Sequence, residues 1–226
     1  MKIVAIVPAY NCQKSIKKVI NDLNNHFVDT VIVVDDGSSD RTAELARKLG
    51  VEVITHRKNR GLGCALRTGF KEALRRKFDL ILTFDGDGQH LASDIKKVKK
   101  CFENNTTADM VIGTRLKDKS YWHRFPRHRL WGNLILTVLT NISCHKKFTT
   151  DSQSGYRAMK RDALRRLKLS TNRMEIASEI IIEARRKKLN MIEVPIIPTY
   201  SDEISSQRLV IDTLAIIVLI LKRLYK

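Results

Sequence analysis

Unbroken apolar runs alternate with stretches whose apolar positions recur every three or four residues, and the alternation holds through the first half of the chain. Ile3-Val4-Ala5-Ile6-Val7 carries no polar residue, as expected of a strand buried on both faces. The pattern predicts a helix over 14–24, a strand over 31–34, a helix over 40–49 and a strand over 51–55. A helix over 65–76 precedes a strand over 80–84, 94–102 is helical, and 110–113 closes the series as a strand. Such β-α-β alternation specifies an α/β fold with a mostly parallel sheet flanked by helices. Beyond residue 113 the rhythm changes. Region 114–150 interleaves Arg, Lys and His with Tyr121, Trp122, Phe125 and Trp131, which fits a loop followed by a helix and also an RNA-stacking surface. A polar turn, Asp151-Ser152-Gln153-Ser154-Gly155-Tyr156-Arg157, leads into another strand-helix unit. A helix follows over 175–189, and a strand over 191–197 is ended by Pro195 and Pro198, which places it at a sheet edge.

The last residues depart from this pattern again. Residues 209–225 are almost wholly apolar until Lys222-Arg223, with an uninterrupted core over 214–221. That core is well short of the roughly 20 residues needed to cross a bilayer. A helix packed on the domain and a helix lying in a membrane interface both fit, and the basic surface favours the interfacial one. The expected organisation is one domain over 1–200 and a tail with an amphipathic or apolar helix over 201–226. A length of 226 residues with 43% hydrophobic positions suits a single sizeable domain with a normal core.

Charge narrows the partners. Lys and Arg number 42 against 24 Asp and Glu, a formal net charge of +18. Such an excess attracts nucleic acid, nucleotide phosphates or an anionic membrane face without choosing among them. Cys12, Cys64, Cys101 and Cys144 are scattered and form no C-x-x-C pair, so they read as reduced cytoplasmic thiols and not as a disulfide framework or zinc site. The opening, Met1 to Pro8, is too short and too soon interrupted by proline for a signal peptide.

Candidate chemistry gathers just after the predicted strands. Asp85-Gly86-Asp87-Gly88-Gln89-His90 breaks the 80–84 strand with two carboxylates and an amide. Acidic residues at i and i+2 place hard oxygen ligands at the carboxyl edge of the sheet, where open α/β sheets bind ligands. Those ligands suit Mg²⁺ or Mn²⁺ held partly by a substrate's phosphates, and a lone pair of this kind also fits a solvated acidic turn. Pro8-Ala9-Tyr10-Asn11 follows the first strand with a tyrosine that could stack on a flat ring or pack a loop. Val34-Asp35-Asp36-Gly37-Ser38-Ser39-Asp40 follows the second with an acid able to accept from a nucleobase imide or ribose hydroxyl. Ser39 and Asp40 also suit a helix N-cap. Asn59-Arg60-Gly61-Leu62-Gly63 gives a glycine turn before a helix but lacks the Gly-Lys-Ser/Thr ending, which excludes a P-loop NTPase.

In this order and spacing the motifs resemble the family 2 glycosyltransferases, which have the Rossmann-like GT-A fold. The resemblance continues through Ala108-Asp109-Met110-Val111-Ile112-Gly113-Thr114-Arg115, the Asp151 to Arg157 turn and Glu193-Val194-Pro195-Ile196, covering roughly residues 3–200. Within the family the chain looks most like the dolichyl-phosphate or polyprenyl-phosphate sugar synthases, such as the mannose synthases. The resemblance implies nucleotide-sugar contacts at Pro8, Tyr10, Val34, Asp36, Asp85, Gly86, Asp87, Gln89 and Arg115. Asp85, Asp87 and Gln89 would hold Mg²⁺ or Mn²⁺. Catalysis would rest on Asp87, Arg115 and Arg129, the last facing the acceptor's phosphate, for which a forked guanidinium is well shaped.

Three departures from the family pattern stand out. Cys12 occupies the place of a frequent Glu after Tyr-Asn. Ser201 and Gln207 replace a late Arg and Lys of the mannose synthases, with Arg208 adjacent. That leaves the donor open between GDP-mannose and a UDP-sugar. The extra C-terminal membrane helices of some relatives have no counterpart in this sequence. The implied reaction is inverting transfer of a sugar to polyprenyl or dolichyl phosphate, at the cytoplasmic, inner face of an anionic membrane and without nucleic acid. Transfer to a glycan hydroxyl, with Asp151 or Glu179 as base, is the alternative within the class, while Glu175 and Glu179 otherwise read as helix-face residues. An RNA-binding protein using 114–150 is the alternative outside it.

Overall fold

The computed structural model describes residues 1–25, 28–146, 148–199, 214–219 and 221. Seven strands form one sheet: β1 (Ile3–Ala9), β2 (Thr30–Asp35), β3 (Glu52–Thr55), β4 (Leu80–Thr83), β5 (Met110–Thr114), β6 (Arg157–Lys160) and β7 (Met191–Pro195). Their order is β3-β2-β1-β4-β6-β5-β7. All neighbours pair in parallel except β6, which runs antiparallel between β4 and β5. The proline-ended strand β7 lies at one edge of the sheet, as its sequence predicts, because a proline cannot donate to a further partner.

The helices are α1 (Ile16–Asn24), α2 (Thr42–Lys48), α3 (Leu62–Arg75), α4 (Ile95–Asn104), α5 (Arg127–Ser143), α6 (Arg161–Arg166) and α7 (Ile176–Arg186), with short 3₁₀ segments at Ala92–Asp94 and Lys119–Arg124. Helix α3 begins three residues before the predicted start. Gly61 adopts φ +93° at its N-cap, and a Cβ there would collide with the backbone oxygen of Asn172. Only glycine tolerates both conditions, so the chain can enter the helix pressed against the loop that precedes α7.

Alternate residues of the central strands feed two cores, one on each side of the sheet. Val4, Ile6, Ile32 and Val34 pack with Phe70 of α3, Leu164 of α6 and Ile180 of α7. Ile3, Ala5, Val7, Val31 and Val33 pack with Ile20 of α1 and Val98 and Phe102 of α4. This two-sided burial is the reason β1 has no polar position, since each buried aliphatic side chain contributes roughly 1.5–3 kcal/mol. In the C-terminal segment Ile216 and Leu219 are buried in the first core, while Leu214, Val218 and Leu221 are exposed. The segment therefore packs on the domain with one face and keeps an apolar face outward. Residue 200, where the domain was expected to end, lies outside the described residues, as do Ser201, Gln207 and Arg208.

The chain steps outward from β1 to β2 and β3, then returns to place β4 on the other side of β1. Strand order thus reverses between β1 and β4. The loops at their carboxyl ends splay apart there and leave a crevice.

Candidate active site

The crevice collects the expected residues at neighbouring strand ends. Parallel register sets Pro8 opposite Val34 and Ala9 opposite Asp35, which brings the Pro8–Tyr10 and Val34–Asp36 stretches side by side. Asp36 is buried, and its carboxylate lies 2.6 Å from His56 Nδ1 and accepts the backbone N–H groups of Arg60 and Gly61 at 3.0 and 2.6 Å. Its role in this geometry is to tie the 56–61 loop to the end of β2, shaping that side of the crevice.

The Asp85–His90 turn follows β4 and is anchored on several sides. Ser15 Oγ donates to the Gly86 carbonyl at 2.7 Å, and Gln89 N–H donates to Asp87 Oδ1 at 3.0 Å. Asp85 Oδ2 lies 3.1 Å from Nε2 of His90, whose ring is buried edge-on against Phe84 and Tyr156 with centroids 5.6 and 5.5 Å away. A Cβ at Gly155 would collide with the Asp85 carboxylate, so glycine there leaves the acid its place.

Asp85, Asp87 and Gln89 line one cleft together with Arg115, Arg129, Gln153 and Arg157. Burial pushes the Asp87 carboxyl up to about 6, and the neighbouring Asp85 charge adds to the rise. Burial acts upward on Asp85 too, but its hydrogen bond to His90 and the charges of His90, Arg115 and Arg157 outweigh it and hold Asp85 low. Among the described residues no group of three or more His, Cys, Asp or Glu is arranged to hold a metal. The Asp85, Asp87 and Gln89 set offers only oxygen ligands from the protein, and few of them. It therefore fits a hard divalent cation that completes its shell with substrate oxygens.

Arg115 is gripped from behind. Its Nε and Nη2 donate to Asp151 Oδ2 and Oδ1 at 2.8 and 3.0 Å, and its backbone N–H donates to Oδ2 at 3.1 Å. Burial raises the Asp151 carboxyl, yet the Arg115 guanidinium prevails and keeps it below the usual carboxylate range. The second candidate base, Glu179, is also engaged: it accepts from the backbone N–H and hydroxyl groups of Ser170 and Thr171 at 2.7–3.1 Å. These bonds outweigh its burial and hold it low.

The structure adds a cleft residue to which the sequence assigned no role. Arg157 opens β6, is buried, and donates from Nη2 to the Ser152 carbonyl at 2.8 Å. Its Nε has no hydrogen-bond partner among the described residues, and burial pulls its pKa down to about 10. The signal was its place at the end of the Asp151 to Arg157 turn, but an arginine at the start of a short apolar strand gives no hint that it faces a ligand.

Among the described residues, region 114–150 presents no array of stacking rings. Phe125 is buried, Tyr121 and Trp122 are half-buried, and Trp122 Nε1 donates to the Leu116 carbonyl at 3.2 Å. Only Trp131 of the four is exposed.

Comparison with known proteins agrees with this geometry. Residues 4–168 match the model of the family described as Glycosyl transferase family 2. An uncharacterized protein of Methanocaldococcus jannaschii is 42% identical over 89% of this chain and 83% of its own length. The UDP-N-acetylglucosamine–dolichyl-phosphate N-acetylglucosaminyltransferase of Methanococcus voltae is 38% identical over 88% of this chain and 86% of its own. The dolichol-phosphate mannosyltransferase of Pyrococcus furiosus is 29% identical over 86% of this chain and 56% of its own. Among solved structures, glucosyl-3-phosphoglycerate synthase from Mycobacterium tuberculosis with Mn²⁺ and UDP-glucose superposes with a TM-score of 0.80 at 18% identity, covering 99% of this chain and 79% of that one.

Proposed function

Because the chain belongs to glycosyl transferase family 2, we propose that it is an inverting enzyme that moves a sugar from a nucleotide-sugar to polyprenyl or dolichyl phosphate. The observation that carries the acceptor is the state of the two candidate bases. A glycan hydroxyl must lose its proton as it attacks, which calls for a carboxylate within reach. Asp151 is locked onto Arg115, and Glu179 onto Ser170 and Thr171. An acceptor phosphate is already ionised near neutral pH and needs no base. Three arginines in the cleft, Arg115, Arg129 and Arg157, suit such an acceptor and the leaving diphosphate.

In the proposed step an acceptor phosphate oxygen forms a bond to the anomeric carbon from the face opposite the leaving group. The bond from that carbon to the diphosphate breaks, and its electron pair departs with the nucleoside diphosphate. Arg129 orients the acceptor phosphate, while Arg115, fixed by Asp151, faces the charge that grows on the leaving group. Pro8, Tyr10 and Val34 flank the nucleoside, and Asp36 holds the adjoining loop. Asp85, Asp87 and Gln89, with Gly86 allowing the turn to approach β1, would hold Mg²⁺ or Mn²⁺, which when bound neutralises the diphosphate. Glucosyl-3-phosphoglycerate synthase, a solved neighbour in fold, has been crystallised with each of these ions.

A UDP-sugar is the better supported donor. The relative whose name specifies UDP-N-acetylglucosamine is 38% identical, against 29% for the Pyrococcus mannosyltransferase. No helix among the described residues is long and apolar enough to cross a membrane. In this reading the enzyme meets its lipid acceptor at the cytoplasmic face of the membrane. The test offers radiolabelled UDP-N-acetylglucosamine, UDP-glucose and GDP-mannose with polyprenyl phosphate and Mg²⁺ or Mn²⁺, and counts label in an organic extract. Label in that extract is expected. Label found only in water-soluble glycan would overturn the acceptor.

A further inference from the structure

Behind the cleft a chain of hydroxyl groups joins α5, the Asp151 to Arg157 turn and α7, and its protons can be counted. Thr140, Ser152 and Ser178 are fully buried. The Leu136 carbonyl can only accept, so Thr140 Oγ1, 2.7 Å away, spends its one proton on it. Thr140 Oγ1 is then an acceptor toward Ser178 Oγ at 2.9 Å, and Ser178 spends its own proton there. Ser178 Oγ must therefore accept from Gln153, whose Nε2 lies 3.1 Å away. The same nitrogen donates to Ser152 Oγ at 2.9 Å. Both N–H groups of Gln153 are thus committed to serines on the buried side. Its Oε1 is left as a fixed acceptor for the cleft that Gln153 lines.

That cleft also has an apolar wall, made by Leu62 and Leu66 of α3, Met174 just before α7 and Ala177 of α7. Ala177 adjoins Ser178 in the chain, which sets this wall beside the serine that holds Gln153. We propose that this corner receives the acetamido group of a 2-acetamido-2-deoxy sugar on the donor. Gln153 Oε1 accepts the acetamido N–H, and the apolar wall covers its methyl. A trans secondary amide carries N–H and methyl along one edge, which matches an acceptor oxygen beside apolar side chains. A plain sugar hydroxyl would satisfy Oε1 and leave the wall uncovered. The isoprenyl chain of an acceptor would cover the wall and leave Oε1 without a donor. The acetamido group meets both demands. Connectivity places it here as well: C2 of the sugar is bonded to the anomeric carbon. The substituent of a sugar whose diphosphate lies at Asp85, Asp87 and Arg115 therefore stays within this cleft. The inference deepens the transferase reading and rests on it for the position of the diphosphate.

The test measures binding of UDP-N-acetylglucosamine, UDP-glucose and UDP to the full chain with Mn²⁺ by calorimetry, with no lipid acceptor present. Transfer of each sugar to polyprenyl phosphate is then followed separately. The parent should bind the acetamido sugar about tenfold or more tightly than glucose. Gln153→Leu, similar in size but without an acceptor, should erase most of that preference by weakening UDP-N-acetylglucosamine. Its affinity for UDP should stay at the parent value and so report an intact site. Ala177→Leu, which fills the place of the methyl, should weaken UDP-N-acetylglucosamine about tenfold and leave UDP-glucose near the parent value. Equal binding of the two sugars by the parent would overturn the proposal. So would a preference that both variants keep. A loss confined to KM for polyprenyl phosphate would also overturn it, by giving the apolar wall to the acceptor's chain. If the preference and its loss are found while no lipid is ever labelled, the lipid-phosphate reading fails and the acetamido site stands.

Discussion

The acidic wall of the cleft comes from six consecutive residues, 85–90, whereas its basic wall is gathered from Arg115 after β5, Arg129 on α5 and Arg157 at the start of β6. Each wall is under electrostatic strain of opposite sign. Burial and Asp85 push Asp87 up to about 6, and burial pulls Arg157 down to about 10. A bound cation would relieve the first wall, and a bound phosphate would relieve the second, offering an acceptor to the Arg157 Nε. The contrast teaches that the protein alone is not the most comfortable state of this site. Its two halves are complementary to two different ligands, although Arg115 and Arg157 also hold the Asp85 carboxyl low.

The strongest way to break that picture is to remove a ligand from the acidic wall. Asp87→Ala should lower sugar transfer by about a thousandfold or more and abolish measurable Mn²⁺ binding, with the far-UV spectrum unchanged. Steady-state transfer and Mn²⁺ titration followed by electron paramagnetic resonance check it. Full activity in the variant would dismiss the metal role of the turn. A cation removed from the other wall should act differently. Arg129→Ala should raise KM for the lipid phosphate by about ten- to a hundredfold and leave KM for the nucleotide-sugar near the parent value. A rise confined to the donor would place Arg129 on the wrong side of the cleft.

The two walls were also unequally legible. The acidic wall could be read directly, because a contiguous turn after a buried apolar strand announces both its place at the sheet edge and its two carboxylates. The regular half of the fold was legible for a related reason: two-sided burial writes unbroken apolar runs into β1, β2 and β4. The basic wall was only partly readable. Arg115 and Arg129 came from resemblance to a family, and Arg157 received no role, since its place in the cleft with Asp85 depends on β6 inserting antiparallel between β4 and β5. Nothing local in Arg157-Ala158-Met159-Lys160 specifies that insertion. The grip of Asp151 on Arg115 was equally hidden, because it joins residues 36 apart, and in sequence Asp151 looked like a possible base.

The smallest expected effect isolates the strain on the acidic wall without any substrate. Asp87 has a raised folded-state pKa, near 6 against about 3.8 for an ordinary aspartate. Between those values the native state binds a proton that the unfolded chain does not, so this group's contribution to stability falls as pH rises through the window. Above pH 6 the full penalty of the ionised carboxyl is present, and below about 3.8 it is gone. Asp85 and Asp151, whose carboxyls are held low, have the opposite sign and lose their contribution as acid protonates them. Asp87→Asn in chelator-treated buffer should therefore be more stable than the parent at pH 7 by about 1–2 kcal/mol, a figure reduced because water still screens the half-buried carboxyl. The advantage should shrink steadily from pH 6 toward pH 4. Denaturant unfolding of both proteins across that range reads it, and an advantage that stays constant with pH would mean that the acidic wall carries no such strain. Adding Mn²⁺ should reverse the order at pH 7, because the cation stabilises the parent and finds one carboxylate fewer in the variant.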